Sequence, residues 1–271
     1  MKSLLLFLSI VTLFSCRSHD KKVEEGSIKP AQYRFVTTKS QTPYLVIENV
    51  GDVEIRGSMP DVTVVTIDKK SSAASRKRAA AILDAITFKP SLSKDGKVSI
   101  TPNYPEIKQG EMVKTDIKVL VPLNQDIPVN VSTHNGLLEV RGITSTANIN
   151  VTGKSRVFFK VFKGSVKGTI EEGEVRLGAH INFADITMKK GTINLIQRNK
   201  LLTGDIILRL GEGTVYLQLL KGHKAKLDIS APTIENNSSS FKLVNGKGGA
   251  GAHTLRVVVT KGKVVLQPEM F

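Results

Sequence analysis

Two aspartates at matching points of a repeat have the residue type and the spacing for acid–base chemistry. Asp185 and Asp205 lie 20 residues apart, in an Ala-Asp-Ile and a Gly-Asp-Ile triplet. Neighbouring carboxylates can share a proton, hold a calcium ion, or act as acid and base on a glycosidic bond. Aspartates at strand corners also hydrogen-bond the turn backbone, which is the simpler interpretation. The pair therefore defines the enzymatic alternative, a carbohydrate-active β-helix.

The other patterns that carry chemistry in known proteins are not found in this sequence. None of the five histidines lies four residues from another, and there is no H-E-x-x-H or G-x-S-x-G motif. The histidines are His19, His134, His180, His223 and His253. The glycine-rich run 245–252 lacks the Lys-Ser/Thr pair of a phosphate loop, and we predict a mobile loop there. We expect no metal, no cofactor and no catalysis.

The charge of the chain predicts an anionic partner. Lys and Arg number 39 against 24 Asp and Glu, a formal net charge of +15. Lys167, Lys189, Lys190 and Arg209 recur at about the repeat length and define a candidate basic binding surface. Anionic lipid, lipopolysaccharide phosphates, a glycan or a protein fit this surface better than nucleic acid, because aromatic residues are only 5%. The alternative is that these cations only keep a β-rich surface soluble and protect its edges.

The N-terminus predicts export. Residues 1–15 read as a signal peptide, with Lys2 followed by an apolar run of 11 residues from Leu4 to Phe14. A spanning helix needs about 17–25 apolar residues, so this run is too short to cross a bilayer. The segment Leu-Phe-Ser-Cys that ends at Cys16, the only cysteine, resembles the bacterial lipobox.

The lipobox resemblance implies a lipoprotein. Cys16 would carry a thioether-linked diacylglycerol and an N-terminal acyl chain such as palmitate, and several acyl chains hold a soluble domain at a membrane. Residues 16–32 are polar and read as the lipidated cysteine and a flexible tether. Arg17 stands where an aspartate would favour retention in the inner membrane. We therefore expect an envelope location, with the outer membrane favoured over the inner.

Residues 122–271 form a repeat in which apolar residues alternate with polar ones. One series of small-x-aliphatic triplets has its aliphatic residues at 166, 186, 206 and 227, and a second begins at 155, 173, 191 and 213. Two strands in each interval of about 20 residues predict an all-β fold, a β-solenoid or parallel β-helix with glycines at its corners. An antiparallel β-sandwich with hairpins every 8–12 residues or so is the alternative.

The ends of the repeat are predicted to be closed by other elements. Residues 33–121 read as a β-rich part with one helix over 71–86, where Ala79, Ile82, Leu83 and Ile86 follow helical spacing. At the other end, Lys261-Gly262 between two alternating segments predicts a C-terminal hairpin.

Three segments carry a family resemblance: VIENVGDVEIRG over 46–57, IKVLVP over 117–122 and VNVSTHNGLLEV over 129–140. Together they resemble the putative-adhesin family of bacterial envelope proteins, over roughly residues 44–230. In that family a strand ending in Val-Pro leads into Asn-Gly strand repeats. The resemblance implies repeated β-strands and a binding or structural role, and it implies no catalytic residues.

Overall fold

The computed structural model describes residues 24–27, 31–35, 44–58, 62–123, 126–239 and 241–268. Within them the chain is β-strand with one helix, which confirms the all-β prediction. The predicted signal peptide, Cys16 and most of the tether lie outside the described residues. No helix in these ranges has the length and apolar character needed to span a bilayer.

The elements are given in chain order. They are β1 (Glu24–Ser27), β2 (Ala31–Phe35), β3 (Tyr44–Val50), β4 (Val53–Ser58), β5 (Thr63–Ala73), α1 (Arg76–Ala85), β6 (Thr87–Phe88), β7 (Ser91–Leu92), β8 (Lys97–Ile100), β9 (Pro102–Asn103), β10 (Met112–Pro122), β11 (Val129–Arg141), β12 (Thr144–Gln197), β13 (Ile206–Leu219), β14 (Lys226–Ser230), β15 (Thr233–Asn236), β16 (Lys247–Gly249) and β17 (Thr254–Leu266).

All but two of these strands form one large mixed sheet. Its N-terminal part is antiparallel, with β1, β2 and β10 all paired to β5. From β4 onward the order is β4-β11-β12-β13-β17-β14, and every pair along this path is parallel. The antiparallel sandwich is therefore wrong for this part of the chain. The closed coil of a solenoid is not established by these pairings and stays a prediction.

Each row of the parallel part has two arms that meet at a corner. In β11 the arm 129–134 pairs with β3, the arm 138–141 pairs with β4, and the register shifts between His134 and Gly136. The continuous span β12 contains the left-handed φ values of Gly173 and Gly191, at which the backbone turns from one arm into the next. Aliphatic residues on the inner side of both arms form one buried core.

The structure confirms one of the two predicted series and shifts the register of the other. The second is confirmed, because Ile193 lies opposite Val215 in the register of β12 and β13. In the first, Ile186 lies opposite Leu208 and not opposite Ile206, a shift of two residues. A shift of two keeps every inward side chain inward, so strand alternation cannot distinguish the two registers.

The order of the last rows also differs from the prediction. β17 lies between β13 and β14, so Leu255 separates Leu227 from Ile206. The predicted hairpin is wrong, because the two halves of β17 both pair in parallel with β13 and not with each other. Gly262 is therefore a corner between two arms. The chain first forms β14 and β15 and then returns as β17. This last strand lies between β13 on one side and β14 and β15 on the other.

The helix begins later than predicted. α1 starts at Arg76, and the Oγ of its N-cap Ser75 accepts a hydrogen bond of 3.2 Å from the Arg78 amide. Residues 71–73 extend β5, where they pair with β1, and Ser72 also pairs with β10. These residues, predicted as the first turn of the helix, are therefore part of a paired strand. The predicted apolar face is buried in a small second core with Ala73.

The glycine-rich run 245–252, where a mobile loop was predicted, contains the short strand β16. β16 pairs antiparallel with β14 at the end of the sheet. A Cβ on Gly246 or Gly249 would overlap a backbone carbonyl oxygen, of Ile229 and Ala225 respectively. The glycines are needed for this close approach of two backbones, which covers part of the end of the sheet.

Candidate functional site: a groove over a glycine ladder

A column of residues with little or no side chain runs along the corner between the two arms. Register pairs join Gly136 to Ser155, Gly191 to Gly213, and Gly213 to Gly262. Gly173 lies against the carbonyl oxygen of Ser155, and Gly191 lies against that of Gly173. A Cβ on these glycines would overlap the preceding carbonyl oxygen. This glycine ladder consists of Gly136, Ser155, Gly173, Gly191, Gly213 and Gly262.

An open groove of about 660 Å³ lies above the part of the ladder from Gly136 to Gly191. Three glycines and Ser155 form its floor. The other lining residues include some that precede a ladder position in the chain and some that follow one. The first set is Lys154, Glu172 and Lys190, and the second is Leu137, Arg156 and Glu174. Asp52 and Lys114 complete the lining. Rows about 4.8 Å apart make the groove about 14 Å long.

Some of the charges in the groove are already paired. Lys114 Nζ lies 2.8 Å from an oxygen of Asp52 and 3.3 Å from one of Asp116. Partial burial raises the pKa of the Asp116 carboxyl, but Lys70 and Lys114 outweigh it and hold that pKa below its ordinary value. Glu174 accepts a hydrogen bond of 2.5 Å from Arg176. These residues fix the shape of the groove.

Three charged side chains in the groove have no such partner. Lys154, Arg156 and Glu172 make no ion pair or side-chain hydrogen bond within the part of the chain that the structure describes. Lys154 and Arg156 are exposed. Two cations and one carboxylate are therefore free to meet a ligand above a floor that no side chain obstructs.

Local contacts hold the backbone beside these free charges. Asn135, at a left-handed φ of 51°, accepts a hydrogen bond of 2.9 Å from the Lys154 amide through Oδ1. Glu171 accepts one of 2.8 Å from the Gly153 amide and pairs with Lys189 at 3.2 Å. The Gly153 N–H, together with Lys189, holds the pKa of the Glu171 carboxyl below its ordinary value. Asn135 and Glu171, which lie outside the groove, thus position the backbone next to Lys154.

The four predicted binding residues lie in different surroundings. Lys167 Nζ lies over the ring of Phe183, 5.2 Å from its centroid, and Lys189 pairs with Glu171. The other two lie in different register positions. Lys190 is opposite Glu212, with an ion pair of 3.5 Å, and Arg209 is opposite Thr187 and pairs with Asp185. Only Lys190 lines the groove. A common basic surface of these four stays a prediction.

The structure does not bring the two candidate carboxylates to equivalent positions. Asp185 lies opposite Ile207 and is held by Arg209. Asp205 accepts a hydrogen bond of 2.8 Å from the Thr254 amide and lies 3.6 Å from His253 Nδ1. Each carboxylate binds a residue of its own or the adjoining row. Among the described residues no cluster of three or more His, Cys, Asp or Glu has the arrangement of a metal site.

Sequence reasoning missed Lys154 and Arg156 as site residues. Both flank a ladder position that was identified, Ser155, and the residues that flank the next position are Glu172 and Glu174. The signal was available in the two residues that flank the small residue of each small-x-aliphatic triplet. The same triplet at Gly262-Lys263-Val264 also indicates that β17 is a row of the repeat.

In comparisons with known proteins, no protein-family model and no curated sequence matches the chain. Among solved structures it is similar to a putative cell adhesion protein from Clostridium sporogenes at 12% identity, covering 89% of this chain and 100% of that one, with a TM-score of 0.39. It is also similar to a putative adhesin from Bacteroides fragilis at 12% identity, covering 89% of this chain and 97% of that one, with a TM-score of 0.41. A third similar structure is a putative lipid binding protein from Parabacteroides distasonis, at 11% identity. The match covers 89% of this chain and 97% of that one, with a TM-score of 0.38. With TM-scores this low, the likeness assigns neither a fold nor a function.

Proposed function

We propose that this chain is a non-enzymatic binding protein of the bacterial envelope, and that the groove over the glycine ladder holds a stretch of an acidic glycan. The observation that carries the proposal is a pair of cations, Lys154 and Arg156, that have no partner among the described residues and lie beside a floor of glycines and one serine. Binding without turnover accounts for this arrangement, since it needs recognition groups and no reactive pair.

The chemistry of the groove suits an extended sugar chain with acidic groups. Ammonium and guanidinium groups make charge-assisted hydrogen bonds to sulfate or carboxylate, and guanidinium does so with two parallel bonds. The carboxylate of Glu172 accepts hydrogen bonds from hydroxyl groups. A floor of glycines and one buried serine lets sugar rings approach the backbone, and the length of about 14 Å accommodates more than one ring.

The proposal assigns a supporting role to the rest of the chain. Parallel rows that recur at 18 to 22 residues are interpreted as successive coils of a solenoid, which would make the groove rigid. Lipid on Cys16 and the tether 16–32 would hold this body at a membrane, the outer one in a cell that has two. The resemblance to envelope proteins in 46–57 and 129–140 supports the same location.

The binding test uses the chain 17–271, which retains every described residue. Binding of a fluorescent heparin oligosaccharide is measured for this chain and for a Lys154→Gln/Arg156→Gln variant. Loss of two charge-assisted contacts predicts affinity at least about ten-fold weaker. A matched control, Arg76→Gln/Lys77→Gln, removes two exposed cations from α1. Equal losses in the two variants would show that only net charge matters and that the groove is not the site.

A separate test addresses the anchor. Cells that express the full chain or its Cys16→Ala variant are labelled with a radioactive fatty acid and fractionated. The proposal predicts label on the wild-type chain alone and its recovery with membranes. An unlabelled wild-type chain would overturn the lipidation of Cys16. Protease treatment of intact cells then shows whether the groove faces the outside.

A further inference from the structure

A second surface lies at the ends of the arms that are remote from the glycine ladder. There the chain turns from one row into the next in five corner segments, which we call the basic edge: 141–143, 160–163, 178–181, 197–201 and 220–224. The first two are joined by the hydrogen bonds Gly142 N to Lys160 O and Lys163 N to Ile143 O, both 3.1 Å. They are therefore neighbours in space.

The remaining corners continue the same column. Gly178 lies against the carbonyl oxygen of Phe159, next to the second corner. The side-chain amide of Gln197 donates through Nε2 to Ile181 O at 3.0 Å, which joins the third corner to the fourth. The Lys224 amide donates to Lys200 O at 2.6 Å, which joins the fourth to the fifth. The basic edge is thus a column of five adjoining corners.

The charge of this edge has one sign. The five segments contain seven Lys and Arg residues and no Asp or Glu, namely Arg141, Lys160, Lys163, Arg198, Lys200, Lys221 and Lys224. The ladder corner, by contrast, carries both signs. Glu139 is buried beside the edge and pairs with Lys160 at 2.8 Å and Arg141 at 3.7 Å.

Four of the seven cations are exposed and, within the described ranges, unneutralised. They make no ion pair or side-chain hydrogen bond to any residue that the structure describes, and they are Lys163, Arg198, Lys200 and Lys224. Cations gathered at one end of a fold repel each other. Their concentration on one edge is therefore better explained by an anionic surface that they meet than by solubility, which a mixture of signs serves as well.

Exposed aliphatic side chains stand among these cations. Val161 is 76% exposed and Leu201 is 58% exposed. Val161 also has a left-handed φ of 48°, which β-branched residues rarely adopt. A strained backbone therefore holds an aliphatic side chain in water between Lys160 and Lys163.

We infer that the basic edge docks on the surface of an anionic membrane. Its lysines and arginines would lie against lipid phosphates, and Val161 and Leu201 would enter the interface between head groups and acyl chains. Cations that surround exposed aliphatic groups are the combination by which soluble proteins bind anionic bilayers. The inference goes beyond the glycan groove and depends neither on it nor on the lipidation of Cys16. With the anchor present, the edge would set the orientation of the domain on the membrane.

The experiment measures co-sedimentation of the chain 17–271 with vesicles of equal parts phosphatidylcholine and phosphatidylglycerol, and with vesicles of pure phosphatidylcholine. We expect binding to the anionic vesicles only, weakened by added salt. Each edge lysine contributes about five-fold. A Lys163→Gln/Lys200→Gln/Lys224→Gln variant is therefore expected to bind on the order of a hundred-fold more weakly. The control Lys77→Gln/Lys89→Gln/Lys242→Gln removes three exposed lysines elsewhere and is expected to bind almost as the parent does.

A second pair of variants tests the apolar part. Val161→Asn removes the aliphatic group and tolerates the left-handed φ, so the backbone is not disturbed. We expect binding several-fold weaker, and no change for Val244→Asn, which alters a 73% exposed valine outside the edge. Thermal unfolding of every variant excludes misfolding. Absence of binding to anionic vesicles, or equal losses in the two lysine variants, overturns the inference.

The groove variant Lys154→Gln/Arg156→Gln separates this inference from the proposed function. It is expected to keep vesicle binding, whereas the edge variant is expected to keep binding of the heparin oligosaccharide. A different result is that the edge variant loses both ligands while the groove variant loses neither. The edge would then be a general anion site. That result overturns both the lipid-specific docking and the glycan groove. If the groove variant alone loses the oligosaccharide and the edge variant alone loses the anionic vesicles, both assignments stand.

Discussion

Gly213 and Gly262 face each other across β13 and β17, although the chain runs through β14, β15 and β16 between them. Both have left-handed φ values, 137° and 133°. A Cβ on Gly262 would overlap the carbonyl oxygen of Gly213. This contact between distant parts of the chain fixes the row in which β17 lies, and it leaves no room for a side chain at Gly262.

Gly262→Ala is expected to destabilise the protein by about 2–4 kcal/mol, through the unfavourable φ and the overlap with backbone together. Gly110→Ala is the matched control. Gly110 has a φ of 83°, but no atom lies within 4 Å of the position of its Cβ. Its cost is therefore the backbone strain alone, about 1–2 kcal/mol. Urea unfolding measures both variants, and equal losses would mean that the ladder relaxes around a methyl group.

Spacing in the sequence predicted the ladder but not the order of its last row. Ser155, Gly173, Gly191 and Gly213 follow at near-constant intervals, since each extra row needs one small residue where backbones touch. Gly262 breaks the interval because the chain first builds an outer row. The local sequence does not distinguish a strand that is added at the edge of a sheet from one that inserts between two strands.

The register and the site depend on information that strand alternation does not carry. Ile206, Leu208 and Leu210 are all buried, so a shift of two residues exchanges one aliphatic contact for another. Side-chain pairing then decides which charges remain free. Arg209 pairs with Asp185, while Arg156 pairs with no acid in the described ranges, and neither outcome follows from the spacing of the repeat. Composition predicted a basic surface, and the structure was needed to find its unpaired part.

The corner beside Val161 rests on an aromatic pair. Phe159 and Phe162 are fully buried, with ring centroids 5.0 Å apart at an angle of 70°. Phe162→Ala is expected to cost about 3–5 kcal/mol, because it leaves a cavity in the core and removes the ring contact. Phe158, only half-buried on the outer side of the same row, provides the control. We expect Phe158→Ala to cost clearly less in thermal or urea unfolding, and a similar cost would show that the pair is not central to the core.

An ion pair fastens α1 to the loop before β10. Arg78 donates to Glu111 through Nε at 2.7 Å and Nη2 at 2.8 Å, and the Lys108 amide donates to the same carboxylate. The Arg78 guanidinium, with this amide, lowers the pKa of Glu111 from 4.5 to about 2. A lowered pKa in the folded state adds stability above the ordinary pKa, and this is lost as pH falls from about 4.5 to about 2.

Glu111→Gln is therefore expected to be less stable than the wild type at neutral pH and equally stable near pH 2 or below. The free energy of unfolding is measured by urea titration across this range. Glu106→Gln, which removes a neighbouring carboxylate without this ion pair, is expected to leave the acid dependence unchanged. A stability difference between Glu111→Gln and the wild type that persists in acid would show that the side chain acts through its shape and not through its charge.

The basic edge contains a buried histidine that makes stability depend on pH. His223 Nδ1 lies 2.6 Å from the carbonyl oxygen of Asn199, and Nε2 is buried with no partner in the described chain. Because a carbonyl oxygen only accepts, Nδ1 carries the proton of the neutral ring and Nε2 carries none. Burial lowers the pKa of His223, despite the opposing effect of the hydrogen bond to Asn199.

The sign of the pH effect follows from this shift. Below the ordinary pKa of 6.5 the unfolded chain binds a proton that the folded chain resists, so stability falls as the pH decreases from about 6.5 toward the lower pKa of the folded state. His223→Asn places an amide that donates to Asn199 and does not titrate, so it is expected to flatten this dependence between about pH 8 and about pH 5. His180→Asn alters an exposed histidine that contacts the side chain of the same Asn199, and it is expected to keep the wild-type slope. If both variants retain the wild-type slope, the acid sensitivity has its origin elsewhere in the chain.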